Sequence, residues 1–215
     1  MSTSIIGKSY MTADEITKFI QKENPKFNKS IAKAYIEIGE KYNIRGDVAI
    51  CQAILETGWF KYGGGTAVTP DQHNYCGLGV TSKGVKGNSF NTIEEGVTAQ
   101  IQHLYAYATN KNVPKGEKII DPRFKYVSKG SANDSWEGLS MKWAMNEDYG
   151  KNILSLYEKL KTTKATKEPN AKYEISDPLD IDEARKLLDK VGDKVISVSS
   201  TSINGKIVYT ISYKK

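Results

Sequence analysis

Two cysteines, Cys51 and Cys76, and two histidines, His73 and His103, are all that this chain of 215 residues carries of those types. So few cysteines exclude a disulfide-stapled scaffold. The two types together form no ligand-spaced cluster of the kind a zinc site needs, so no metal is expected. Both cysteines lie in apolar stretches, where a free thiol behaves as a small hydrophobe. Long apolar runs are also missing. None approaches the roughly 20 residues that span a bilayer, so no membrane insertion is expected. The opening Met1-Ser-Thr-Ser-Ile-Ile-Gly7 has neither the basic start nor the apolar stretch of a secretory leader. The expectation is a chain made in the cytoplasm that would need outside help to leave the cell. Blocks of lysine and arginine interleaved with aromatics are absent too, which argues against a nucleic-acid partner.

What is present is a mild basic excess, a formal net charge of +6. It favours anionic partners, or serves solubility alone. Retention on an anionic polymer through this charge would weaken as salt rises. The first 160 or so residues read as helices joined by glycine-rich loops. Thr12-Ala-Asp-Glu15 is a capping box, followed by the apolar face of Ile16, Phe19 and Ile20. Ile31, Tyr35, Ile38 and Tyr42 form a helical stripe. A third helix starts near Asp47, reaches Glu56 and ends at Gly58. Residues 59–91, rich in glycine, predict a long loop or short β-hairpin lobe, a kind of segment that often carries function. Thr92-Ile-Glu-Glu95 is a second capping box opening a helix through Ala108, and a final helix pair is expected near 135–145 and 150–161. Residues 162–174 are polar and proline-bearing, as a linker would be. Beyond it, Ile181 to Val191 reads as a helix, and two alternating apolar runs flank Asn204-Gly205, a strong hairpin signal. The organisation expected is a mainly α domain over 1–161, a linker over 162–174 and a small helix-plus-hairpin module over 175–215. A module that small buries too little surface to stand alone comfortably. It is expected to bind the substrate surface or to pair with a copy of itself as a homodimer.

Among residues that could carry chemistry, Glu56 stands out. It ends an apolar helix, where the helix dipole disfavours a carboxylate, and Trp59 and Phe60 follow at once. Dipole and desolvation both raise a carboxyl pKa, which suits a general acid near neutral pH. Glycoside hydrolysis often uses a second carboxylate. Between Thr57 and Ile93 the only acid is Asp71, so Asp71 as base, or an acetamido group of the substrate itself, are the two options.

Gln52-Ala-Ile-Leu-Glu-Thr-Gly-Trp-Phe60 followed by His73-Asn-Tyr-Cys-Gly-Leu-Gly79 resembles the glucosaminidase family, glycoside hydrolase family 73, whose fold is related to lysozyme. Gly96 to Tyr107, Asp121-Pro-Arg-Phe-Lys-Tyr126 and Lys142-Trp-Ala-Met-Asn-Glu-Asp-Tyr-Gly150 resemble its later segments, so the likeness covers about residues 10–161. The resemblance implies a lysozyme-like (α+β) fold and cleavage of the β-1,4 bond after N-acetylglucosamine in bacterial peptidoglycan, without a cofactor. It implies Glu56 as the general acid, Tyr149 beside it positioning water or the developing cation, Asn74 and Tyr75 lining the sugar groove, and Trp143 close by. Val80 to Phe90 lacks the glutamate that many relatives carry there, which leaves the base, and retention or inversion, open. With no leader, a phage endolysin released through a holin-type pore partner ranks ahead of a secreted autolysin. The competing readings are a cysteine amidase or endopeptidase of wall peptides, using Cys51 with His103 or Cys76 with His73, and a non-catalytic wall-binding module.

Overall fold

The computed structural model describes residues 2–82, 84–165, 173–176, 178–203 and 205–214. The chain divides into two compact units, Met1–Ala165 and Thr166–Lys215. The first is built from five helices: α1 (Ala13–Gln21), α2 (Lys29–Tyr42), α3 (Gly46–Thr57), α4 (Ile93–Ala108) and α5 (Tyr149–Ala165). Among the described residues it has no strand longer than an isolated bridge. The architecture is the mainly α, lysozyme-like one expected.

Local signals place most helix starts. Thr12 accepts from the Glu15 amide while Glu15 reaches back to the Thr12 N–H, so α1 opens on a complete capping box. At α4 only half of that pattern forms. Thr92 caps Glu95, but the Glu95 carboxylate accepts from the backbone and side chain of Asn91 instead. The helix expected near 135–145 is not there. That stretch holds a single 3₁₀ turn, Glu137–Leu139. Its polar groups are taken by the chain start: Trp136 N donates to Thr3 O, the Thr3 amide donates to the Glu137 carboxylate, and Asp134 accepts from Ser4 Oγ and Ile6 N. The final helix runs four residues past the expected end at 161, to Ala165, and 166–172 of the expected linker lie outside the described residues. Of the two forms expected for 59–91, the loop is found. Its only regular turn among the described residues is Pro70–Gln72, and it is tied together by side-chain amides: Gln72 donates to Gly87 O, and Asn74 to Leu78 O and Asn88 O.

Close helix approach positions the site. A Cβ on Gly46, at the start of α3, would lie 2.0 Å from the Tyr35 carbonyl oxygen of α2. One on Gly150, at the start of α5, would lie 2.3 Å from Trp136 O. Only glycine permits these backbone contacts. The first brings Tyr35 against α3; the second seats the first turn of α5. Around them the core closes on Ile16, Tyr35, Ile50, Ile101, Leu104, Trp136 and Ile153, all fully buried.

The second unit is an antiparallel sheet in the order β1-β3-β2, formed by β1 (Tyr173–Ile175), β2 (Val195–Ile203) and β3 (Lys206–Lys214), with α6 (Ile181–Val191) between β1 and β2 in sequence. β2 and β3 pair with Ile203 opposite Lys206, leaving two residues for the turn, of which Asn204 lies outside the described residues. β1 had no sequence signal of its own. Among the described residues, Ala184, Val191 and Ile211 are the buried apolar residues of this unit.

Gly46→Ala is expected to lower the unfolding free energy by about 1–3 kcal/mol through overpacking at the α2–α3 crossing. A urea titration followed by tryptophan fluorescence measures it, and an unchanged midpoint would show that the contact is not constraining.

Candidate active site

Glu56 is the penultimate residue of α3, and Gly58 ends the helix in the left-handed region. The next turn is unusual. Trp59, Phe60 and Tyr62 all have positive φ, at 62°, 57° and 56°. Each such residue costs on the order of 1–3 kcal/mol, so the surroundings must hold them. They do. Thr57 Oγ1 donates to Ala53 O and accepts from Phe60 N, and the Asn24 amide donates to the carbonyls of Trp59 and Phe60. Trp59 packs on Phe19 with centroids 5.2 Å apart, and Phe60 on Phe27 at 4.8 Å. The chain thus turns sharply away from Glu56 and leaves its carboxyl at the domain's inner edge.

Tyr149, the first residue of α5, donates its hydroxyl hydrogen to Glu56 Oε1. Behind it lies a buried relay. Tyr35 donates to Gln100 Oε1, Gln100 Nε2 donates to Gln52 Oε1 at 2.8 Å, and Gln52 Nε2 donates to Tyr149 Oη at 2.9 Å. Tyr35, Gln52 and Gln100 are completely buried. Every donor in the series points toward Glu56. Because Gln52 occupies a lone pair of the phenol, the single phenolic hydrogen is directed at the carboxyl. Desolvation raises the Glu56 pKa, and the hydrogen bonds from Tyr149 and Trp143, which favour the charged form, hold it back from rising further.

Trp143 stands near that carboxyl. Its ring is half-buried, set edge-on to His103 with centroids 4.9 Å apart and interplanar angle 89°. His103 Nδ1 in turn lies 2.7 Å from Asp121 Oδ2. From Trp143 a cavity of about 330 Å³ opens between residues 76–81 on one side and His103, Tyr107, Arg123 and Lys142 on the other. The loop thus supplies one wall of the groove.

Other expected site residues sit elsewhere. Asn74 is fully buried, and its amide is consumed by the loop: it donates to Leu78 O and Asn88 O and accepts from Leu78 N. It shapes the loop and does not line a sugar groove. Tyr75 is 2% exposed, packed against Tyr35 and Phe60, with its hydroxyl buried and without a protein partner. It packs in the core and also lines a cavity of about 240 Å³ with Phe60, Tyr62 and His73. Both corrections have one cause: a tight glycine loop needs an internal hydrogen-bonding side chain and an apolar anchor more than it needs exposed groups. Asp71 is exposed on its 3₁₀ turn, its pKa lowered by hydrogen bonds from Thr69 and from its own backbone, and no contact joins it to Glu56. The cysteines are free and buried, burial pushes both thiols up, and Cys51 Sγ is turned to Asp47 O. A thiolate nucleophile is disfavoured at either position. Sequence reasoning missed Gln52 and Gln100 as site residues. Their signal was available: each is an amide set among apolar residues of its helix, and a buried amide must find partners.

The raised Glu56 pKa has a stability consequence. A carboxyl with a folded pKa above its unfolded value contributes fully at low pH, and that contribution is lost as pH rises through the folded pKa. Glu56→Gln is uncharged throughout, and its Oε1 can still accept from Tyr149. Its urea midpoint is expected to coincide with that of the native chain below the ordinary carboxylate range and to exceed it at neutral pH. Equal midpoints at both pH values would mean that Glu56 is not desolvated.

Comparison with known proteins identifies the family. Residues 32–162 match the family model for glucosaminidases, described as mannosyl-glycoprotein endo-beta-N-acetylglucosaminidase. An uncharacterised protein of Borreliella burgdorferi is 36% identical over 153 residues, covering 69% of this chain and 72% of its own length. Among solved structures, S. aureus autolysin E, determined with the muropeptide NAM-L-Ala-D-iGlu, superposes with a TM-score of 0.50 at 13% identity, over 76% of this chain and 72% of that one. The catalytic domain of the Listeria monocytogenes autolysin Auto gives 0.42 at 17% identity, over 72% of this chain and 89% of that one. The family match spans well over half of the chain and includes Glu56, Trp143, Tyr149 and the relay behind them, so this chain belongs to the glucosaminidase family and is a glycoside hydrolase.

Proposed function

We propose that this enzyme hydrolyses the β-1,4 bond after N-acetylglucosamine in the glycan of bacterial peptidoglycan, with Glu56 as the general acid. The observation that carries this is the Glu56–Tyr149 pair: a desolvated carboxyl with a raised pKa, oriented by a phenol whose hydrogen has one place to go. A general acid must hold its proton at working pH and release it to the leaving oxygen, and burial at this helix end supplies the first requirement. Tyr149, in contact with the acid, is placed to steady the carboxylate once the proton has gone and to orient water or the developing cation. Trp143 offers a ring edge beside the carboxyl, where a sugar would lie as it enters the groove. For the second half of the reaction, Asp71 is exposed and makes no hydrogen bond with Glu56 or Tyr149, which favours the substrate's own acetamido group as the internal nucleophile. The muropeptide in the autolysin E crystal and the family's glucosaminidase activity support the choice of substrate. The endolysin setting and its pore-forming release partner belong to the same proposal; an autolysin would cut the same bond, so the assay below does not depend on the setting.

On purified peptidoglycan, the native chain is expected to release new reducing ends at N-acetylglucosamine, and Glu56→Gln to lower that rate by roughly 10²–10⁴-fold. The rate should fall as pH rises through the raised Glu56 pKa, because the acid is then ionised. Tyr149→Phe removes a hydrogen bond that favours the charged form, so it should move this alkaline limb to higher pH while slowing turnover. Release of amino groups without reducing ends, untouched by Glu56→Gln, would instead identify a peptide-cutting enzyme.

For the C-terminal unit we propose self-association through β2. Among the described residues of that unit β2 pairs only with β3, its other edge is nine residues long without a charge or proline, and Ile196 and Val198 are 47% and 48% exposed. An uncharged open edge is a template for pairing with another strand. Val198→Lys is expected to shift the chain from dimer to monomer in sedimentation equilibrium. A native chain that is monomeric at high concentration would sink the idea and leave wall binding as the role for this unit.

A further inference from the structure

The cavity beside Trp143 does not stop at the sugar. It shares His103, Tyr107, Arg123 and Lys142 with a second cavity of about 440 Å³ that runs on past Tyr126. The wall common to both is cationic. Arg123 is half-buried, its guanidinium over the Tyr126 ring at 5.8 Å. The Lys142 ammonium donates to the neutral carbonyl of Ser131. Among the described residues no acid lines either cavity, and no carboxylate lies within ion-pair distance of Arg123 or Lys142. The nearest acid in sequence, Asp121, is fully occupied: one oxygen faces His103 and the other accepts from the Arg123 backbone N–H. Among the described residues, two cations thus flank one groove with no internal counter-charge, and Trp143 lines the same groove.

Taking the proposed reaction as given, we propose that Arg123 and Lys142 form a carboxylate subsite for the peptide branches of the glycan. A peptide hanging from a sugar seated beside Trp143 would run along this groove, and its free ends are carboxylates. The arginine fork matches a carboxylate in two parallel hydrogen bonds, and the ammonium adds a second point of attachment. Tyr107 fixes the spacing, since its hydroxyl donates to the Lys142 carbonyl at 2.9 Å while its ring lies beside Trp143 at 5.8 Å. The subsite ties bond cleavage to the presence of a peptide, so glycan bearing charged peptides is selected over neutral glycan of the same backbone.

The test uses the full chain and its Arg123→Gln/Lys142→Gln variant, with equal urea midpoints as the check on folding. Reducing-end release is followed on native wall, on wall whose carboxyls have been amidated with carbodiimide and ammonium, and on wall stripped of phosphate polymers with hydrofluoric acid. On native and on stripped wall the variant should be slower by roughly tenfold or more, as a rise in KM. On amidated wall the native chain should fall to about the variant's rate, while the variant barely changes. An equal penalty on native and amidated wall, no penalty on native wall, or a penalty that vanishes only on stripped wall would each overturn the carboxylate subsite; the last would identify phosphate as the ligand. Absence of reducing ends with the native chain would overturn the glucosaminidase reading, and this assignment with it.

Discussion

Glu56 and Tyr149 stand on different helices, and what joins them is a line of hydrogen bonds with no access to solvent. Tyr35 of α2, Gln100 of α4, Gln52 of α3 and Tyr149 of α5 each pass a donor forward, and the last donor meets Glu56. Breaking one link would strand a buried amide or hydroxyl, at about 1–3 kcal/mol each, so the members hold one another in place. The relay also fixes the helices themselves. α2 can reach α3 because Gly46 admits the Tyr35 carbonyl, and α5 can start where it does because Gly150 admits Trp136 O. Packing and polar order are two aspects of one arrangement.

The same arrangement sets the electrostatics. A carboxyl at a helix C-terminus, half-covered by aromatics, prefers its proton. Two neutral donors, Tyr149 and Trp143, pull in the other direction without adding charge. The balance is what the proposed general acid requires: a carboxyl whose proton is favoured by desolvation and whose charged form meets donors already in place. Trp143 has a second consequence. Held edge-on by His103, which is itself fixed by Asp121, it connects the acid to the groove in which Arg123 and Lys142 stand.

Much of this was legible beforehand, and the failures have a common form. The end of α3, the glycine that closes it, the capping box of α1 and the loop character of 59–91 are local matters, written in neighbouring residues. The helix expected at 135–145 failed because its backbone partners lie more than 100 residues away, at Thr3, Ser4 and Ile6. The resemblance implies that Asn74 and Tyr75 line the sugar groove; in the structure the loop folds around Asn74 and anchors itself on Tyr75. Residue type alone does not separate a polar group that faces substrate from one that organises a loop.

By itself, the sequence determined the helical class, the position of Glu56 at an apolar helix end and the likeness of its motifs to the glucosaminidases, because each rests on short-range periodicity, capping or spacing. Only the tertiary structure decided that Gln52 and Gln100 stand behind the contact of Tyr149 with Glu56, that Asn74 and Tyr75 are buried and that two cations share one groove. Those are relations between segments far apart in sequence, and they exist only once backbone contacts such as those at Gly46 and Gly150 have brought the helices together.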